Sequence, residues 1–184
     1  MWSGRPEDRE KDTSRGLCAA WCDTEFRLGR GLGRLTVDEI VALATGPALE
    51  WGEEAPPIVV CTGGEPGLQL DEPLVTALRQ CGFRVHVETN GSQALPEVDW
   101  ITVSPKPPMQ VALTRADEVK CIYPDVNPDD WRHLAPEHHI FIQPRDDNNG
   151  SDLQSKRWGD CLDYVTKNPW ARLCIQTHKL LGVE

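Results

Sequence analysis

Short apolar runs alternate with longer amphipathic stretches along most of this chain. Residues 57–61 (PIVVC) are a β-branched run that predicts a buried strand. "DEPLVTALRQCG" follows with helical spacing and is closed by Gly82. "FRVHVE", "VDWITV" and "EVKCIY" read as strands, and "NPDDWRHLA" as a helix that Asn127 can cap. "HIFIQ" is a further strand, and "SDLQSKRWGDCLDYVTKN" a long helix capped by Ser151 or Asp152. "RLCIQ" is the last strand. Ahead of this series, Thr36-Val37-Asp38-Glu39 fits a capping box that opens a short helix ending near Gly46. The strands lack strict two-residue alternation, which suits a parallel sheet covered by helices. Alternation of this kind predicts an α/β barrel or an open α/β sheet.

The polar positions carry a second regularity. Five of the strands end in polar clusters: Thr62-Gly63-Gly64-Glu65, Glu88-Thr89-Asn90, Ser104-Pro105-Lys106, Gln143-Pro144-Arg145-Asp146 and Gln176-Thr177-His178. In parallel α/β folds the strand C-termini gather on one rim, and ligands bind there. One such cluster is what any loop contains; the repetition predicts a large polar site. Gly63-Gly64, released from an apolar strand, marks a backbone that something must approach closely. A tight strand-to-helix turn would use the same residues.

Composition narrows the class of function. The 184 residues are enough for one domain with a real core. A formal charge of −10 argues against a general nucleic-acid binder. No apolar run approaches the roughly 18 residues of a membrane span, and no secretory segment opens the chain, so a cytoplasmic protein is expected. The opening "MWSGRPEDREKDTSRG" is charged and reads as an extended loop.

Seven cysteines, an odd number without secreted-protein spacing, make a disulfide framework a poor reading. Cys61, Cys81, Cys121, Cys161 and Cys174 lie in or beside apolar or helical stretches and read as small buried hydrophobes. Cys18 and Cys22 lie instead in a polar loop. Three residues separate them, which excludes a redox C-x2-C pair. A closed zinc site would need two further ligands, and no second pair lies at a convincing distance. An iron–sulfur cluster, held by thiolates on a short loop, stays open.

Cys22-Asp23-Thr24, Thr62-Gly63-Gly64-Glu65-Pro66, Glu88-Thr89-Asn90-Gly91, Thr102-Val103-Ser104-Pro105-Lys106, Gln143-Pro144 and Gln176-Thr177-His178-Lys179 occur in that order. Together they resemble the 7-carboxy-7-deazaguanine synthase family of radical S-adenosylmethionine (SAM) enzymes in queuosine and deazapurine biosynthesis, from about residue 2 to the C-terminus. The resemblance implies a partial, incomplete TIM-like barrel of the radical SAM type, with parallel strands and covering helices. It implies one core domain over residues 1–184, with 1–17 an insertion loop. The reaction implied converts 6-carboxy-5,6,7,8-tetrahydropterin to 7-carboxy-7-deazaguanine and ammonia through a SAM-derived radical. By the same resemblance Cys18 and Cys22 bind a [4Fe-4S] cluster, and Thr24 binds Mg2+. SAM falls to Gly64, Glu88, Ser104, Pro105, Lys106, Gln143, Pro144, Arg145 and Asp146. The pterin falls to Thr62, His178 and the terminal Glu184. Glu65 fixes the loop or the ligand. The family further implies an electron donor such as flavodoxin or ferredoxin, a homodimer, and neither nucleic-acid nor membrane partners.

The match departs from the family at its start. Relatives with this insertion carry a first cluster cysteine about two residues ahead of the position of Met1, and usually place two residues between the last two cysteines. The expectation is a start assigned too far downstream. The alternative is an impaired remnant that binds SAM or pterin without turnover; another small radical SAM protein, such as a glycyl-radical activase, fits the motif set less well. An in-frame cysteine codon upstream of Met1 supports the enzyme, and a stop codon directly upstream supports the remnant.

Overall fold

The computed structural model describes residues 34–46, 56–145 and 152–177, with side chains from 156 onward in the last range. Two compact units divide the chain: Met1–Thr102 with Lys106–Leu113, and Val103–Pro105 with Thr114–Glu184.

In the first unit, α1 (Val37–Thr45) starts at the expected capping box. The Thr36 hydroxyl oxygen accepts from the Glu39 N–H at 3.3 Å, and the Glu39 carboxylate accepts from the Thr36 N–H at 2.7 Å. These bonds satisfy two backbone donors that a helix start leaves open. Strand β1 (Ile58–Cys61) pairs in parallel with β2 (Arg84–Thr89), with Val59 opposite Val85 and Cys61 opposite Val87. Between them run a 3-10 turn over Pro66–Leu68 and helix α2 (Glu72–Gln80), capped by Asp71. The strand order is β1-β2-β3, β3 being Trp100–Val103.

The alternate residues Val59, Cys61, Val85 and Val87 share the sheet face that packs on Val75 and Leu78 of α2, with Leu70 and Phe83. Each of the buried Val and Leu side chains among them contributes about 1.5–3 kcal/mol, and the partly buried Val59 and Cys61 less. The other face is more open. Ile58 and Val60 are 49% and 50% exposed, so β1 is not the fully buried strand its composition predicts.

In the second unit, β4 (Glu118–Tyr123), β5 (Ile140–Pro144) and β6 (Ala171–Leu173) lie in that order, all parallel. Cys121 lies opposite Ile142, and Ile140 opposite Ala171. Helix α3 (Asp152–Lys167) covers this sheet with Arg157, Cys161 and Tyr164, a stripe of one helical face. Tyr164 meets the Tyr123 ring at 5.0 Å between centroids and donates its hydroxyl to Asp129 at 3.1 Å.

Three further expectations change. "NPDDWRHLA" keeps its Asn127 cap but forms only a 3-10 turn, Pro128–Trp131. The bonds along it close at three residues rather than four, Asp130 N–H to the Asn127 carbonyl at 3.3 Å and Leu134 N–H to the Trp131 carbonyl at 3.1 Å, and the Leu134 carbonyl is taken by the Ala116 N–H at 2.7 Å. "RLCIQ" shortens to Ala171–Leu173, although the Cys174 N–H still reaches the Ile142 carbonyl at 2.9 Å. Cys81 is exposed, because it caps the C-terminal end of α2 rather than facing the core. The Ser151 and Asp152 capping side chains lie outside the described residues.

Candidate functional site

Glu65 organises the ends of β1 and β2. Its side chain is 4% exposed, and both carboxylate oxygens are used. Oε1 accepts from the Gly67 N–H at 2.9 Å and the Thr89 hydroxyl at 2.6 Å. Oε2 accepts from the Asn90 N–H at 2.8 Å. Of the two roles open to Glu65, fixing the loop is the one its contacts serve. A buried carboxylate is costly unless it is fully hydrogen-bonded, and three donors meet that need here.

This clasp holds Thr62, Gly63 and Gly64 at the exposed C-terminal end of β1, beside the exposed Glu88 near the end of β2. Gly63 has φ +115°, a conformation that side-chain-bearing residues rarely adopt, and open space lies where its Cβ would stand. A bare backbone with room beside it fits a ligand laid along the main chain, as the methionine part of SAM would be.

Gly67 is a glycine for a different reason. A Cβ there would lie 2.7 Å from the Gln93 Cβ and 3.0 Å from Glu65 Oε1. Gly67→Ala is therefore expected to cost about 1–3 kcal/mol through overpacking, read as a lower urea midpoint at unchanged m-value. Because Gln93 Cβ is held by its own backbone, an unchanged midpoint would show that this turn repacks freely.

The segment holding Lys106 is fastened to the same turn. The Gly91 carbonyl accepts from the Ala112 N–H at 2.7 Å, and Asn90 Nδ2 reaches Met109 Sδ at 3.9 Å. The Met109 N–H returns to the Lys106 carbonyl at 3.0 Å. The first unit thus brings Thr62, Gly64 and Glu88 together at the strand ends and ties the Lys106 segment to the turn after β2.

In the second unit Pro105 is fully buried and Ser104 half-buried. At the end of β5, Gln143 Oε1 accepts from Cys174 Sγ at 3.6 Å, and Pro144 lies opposite Tyr123. Arg145 donates to Asp125 Oδ1 at 2.8 Å, while Arg157 on α3 donates to Asp125 Oδ2 at 3.4 Å. Cys18, Cys22, Thr24, Asp146, His178 and Glu184 lie outside the described residues.

Burial disfavours the thiolate form at three of the described cysteines. Burial raises the Cys121 thiol to about 12, with Asp130 adding to the effect. Burial and Asp160 raise Cys161 to about 11 against the pull of Arg157, and burial raises Cys61. Among the described residues no three His, Cys, Asp or Glu side chains gather as a metal would require. The donor set among the described residues therefore does not fit an iron–sulfur cluster.

The sequence missed Thr89 as a partner of Glu65 and the convergence of Arg145 and Arg157 on Asp125. These pairs lie 24, 20 and 32 residues apart, and only strand pairing and, for Arg157, the packing of α3 on the sheet bring them within reach. The Pro66–Leu68 turn did leave a local signal: Glu65 followed by proline is a capping residue followed by proline at the first helical position.

No family model matches the chain. The 7-carboxy-7-deazaguanine synthase of Bordetella pertussis is 40% identical over 187 residues, spanning 100% of this chain and 84% of that protein. The chain belongs to the 7-carboxy-7-deazaguanine synthase family. This is the radical SAM enzyme family to which the ordered motifs pointed. The synthase of Nitratidesulfovibrio vulgaris is 39% identical, spanning 100% of this chain and 85% of that protein. Among solved structures, "Crystal structure of QueE from Escherichia coli" aligns with a TM-score of 0.59 at 22% identity, covering 86% of this chain and 81% of that one. That likeness shows the fold, α/β with parallel strands.

Proposed function

We propose that this chain forms 7-carboxy-7-deazaguanine from 6-carboxy-5,6,7,8-tetrahydropterin with release of ammonia. The observation that carries the reading is the 40% identity to a synthase of that name across the whole of this chain. The glycine turn after β1, held open by the Glu65 clasp, supports it independently.

In this reading residues 1–184 form one core domain. Gly64, Glu88, Ser104, Pro105, Lys106, Gln143, Pro144, Arg145 and Asp146 hold SAM, and Cys18 with Cys22 hold the [4Fe-4S] cluster. Together these cofactors supply a carbon radical able to take hydrogen from the pterin. Thr62, His178 and Glu184 hold the pterin, and Thr24 offers its hydroxyl to Mg2+, a cation that prefers oxygen ligands. Gly63 and Gly64 admit the cofactor against the main chain, and Glu65 keeps that main chain from collapsing into the space. The small-molecule substrate and electron supply follow from the family; flavodoxin or ferredoxin as donor, a homodimer and a cytoplasmic location complete the proposal. No helix among the described residues is long and apolar enough to cross a membrane.

The test is anaerobic reconstitution of the protein expressed from its own gene. About four irons per chain are expected, as one [4Fe-4S] cluster requires. Consumption of the carboxy-tetrahydropterin should need both SAM and reductant, and ammonia should appear with product. An intact cluster without turnover rejects the substrate and favours the binding remnant.

A further inference from the structure

We propose that Thr89 is a positioning residue of the cofactor site, acting through Glu65 to hold the Gly63-Gly64 turn in its ligand-accepting conformation. The inference rests on the reading above that this turn receives SAM. Thr89 itself is placed outside the ligand contacts: it is 3% exposed and faces the core side of β2, whereas Glu88 beside it is exposed.

Three observations carry it. First, the Thr89 hydroxyl is fully engaged. It donates to Glu65 Oε1 at 2.6 Å and accepts from the Gly91 N–H at 2.9 Å. That orients the hydroxyl hydrogen toward Glu65 and links the turn after β2 to the turn after β1. Second, among the described residues Thr89 is the only side chain that donates to Glu65; the other donors there are the backbone N–H groups of Gly67 and Asn90. The strength of the clasp is thus set at one position that substitution can reach. Third, what the clasp holds is a pair of glycine turns. Gly63 at φ +115° and Gly91 at φ +78° use conformations open to glycine, the residue with the most backbone freedom to lose, so their geometry depends on the bonds that tie the two turns. Removing the hydroxyl would leave Gly91 without its Thr89 acceptor and Oε1 with one donor, so both turns would loosen together.

The test compares Thr89→Val, which keeps the shape and loses the hydroxyl, with Thr89→Ser, which keeps the hydroxyl. Val75→Ala, in the fully buried part of α2, serves as a control destabilised without touching the clasp. S-adenosylhomocysteine is the probe, titrated calorimetrically into cluster-reconstituted protein. Hydrogen–deuterium exchange over 62–68 and 89–93 reports the turns without any ligand. Thr89→Val should weaken binding about tenfold, in line with loss of a hydrogen bond to a charged group, and speed exchange in both segments. Thr89→Ser should stay near wild type, and Val75→Ala should bind normally despite a lower melting midpoint. Wild-type affinity in Thr89→Val, or an equal affinity loss in Val75→Ala, overturns the proposal alone. Wild-type protein that binds no S-adenosylhomocysteine overturns the cofactor reading and the proposal with it.

Discussion

Glu65→Gln is expected to lower stability by about 2 kcal/mol, within the roughly 1–3 kcal/mol that a buried unsatisfied polar group costs. The change is isosteric, so packing is preserved and the effect isolates hydrogen bonding. The carboxylate accepts at both oxygens, from Gly67 and Thr89 on one and from Asn90 on the other. An amide has one accepting oxygen. With that oxygen toward Gly67 and Thr89, the amide NH2 opposes the Asn90 N–H; in the flipped orientation it opposes the Gly67 N–H. Either way two donors face each other near a buried position. For a chain of this length the thermal midpoint should fall by about 4–8 °C. SAM affinity should fall with it, because the same bonds hold the Gly63-Gly64 turn. Unchanged stability in Glu65→Gln would mean that Glu65 contributes shape rather than bonding, and the clasp argument would fail.

The expected loss from one carboxylate shows why the sequence revealed the elements more readily than the site. Strands β2 and β4 and helix α2 were legible because their signals are local: apolar runs, helical spacing and Gly82, at φ +86°, after the helix. "NPDDWRHLA" misled because its cap was genuine, and a cap serves a 3-10 turn as well as an α-helix: the bonds behind it close at three residues, Asp130 N–H to Asn127 C=O and Leu134 N–H to Trp131 C=O. Cys81 misled because an apolar helix still ends somewhere, and its last residue can face water. Gly63 could be marked as a close-approach position from the sequence. That Glu65 spends both its oxygens on the loop could not, since Thr89 and Asn90 reach it only through the β1–β2 register. The distinction between a residue that touches a ligand and one that shapes the ligand's seat depends on such non-local bonds.

The same distinction governs the second unit, where Asp125→Asn should cost about 1–3 kcal/mol. Each Asp125 oxygen serves a different guanidinium: Oδ1 takes Arg145 at 2.8 Å, and Oδ2 takes Arg157 at 3.4 Å. The Arg157 side chain is about one-tenth exposed, so its charge is poorly hydrated and depends on the protein for stabilisation. An asparagine turns one accepting oxygen into a donor and removes the negative charge, so one guanidinium then meets an NH2 group. Both arginines have further interactions, which places the loss toward the lower end of that range. An exposed pair provides the contrast. Arg132 and Glu137 approach at 3.7 Å, but with side chains 42% and 74% exposed they contribute well under 1 kcal/mol. Glu137→Gln should therefore shift the midpoint negligibly, and less still in 0.5 M salt, roughly, whereas the Asp125→Asn loss should persist there because its partners are shielded from counterions. The two variants, melted at low and high salt, separate the explanations. If Asp125→Asn is also erased by salt, Asp125 is a surface charge. If the loss persists and SAM affinity falls, Asp125 holds Arg145 at the end of β5 as Thr89 holds the glycine turn at the end of β1.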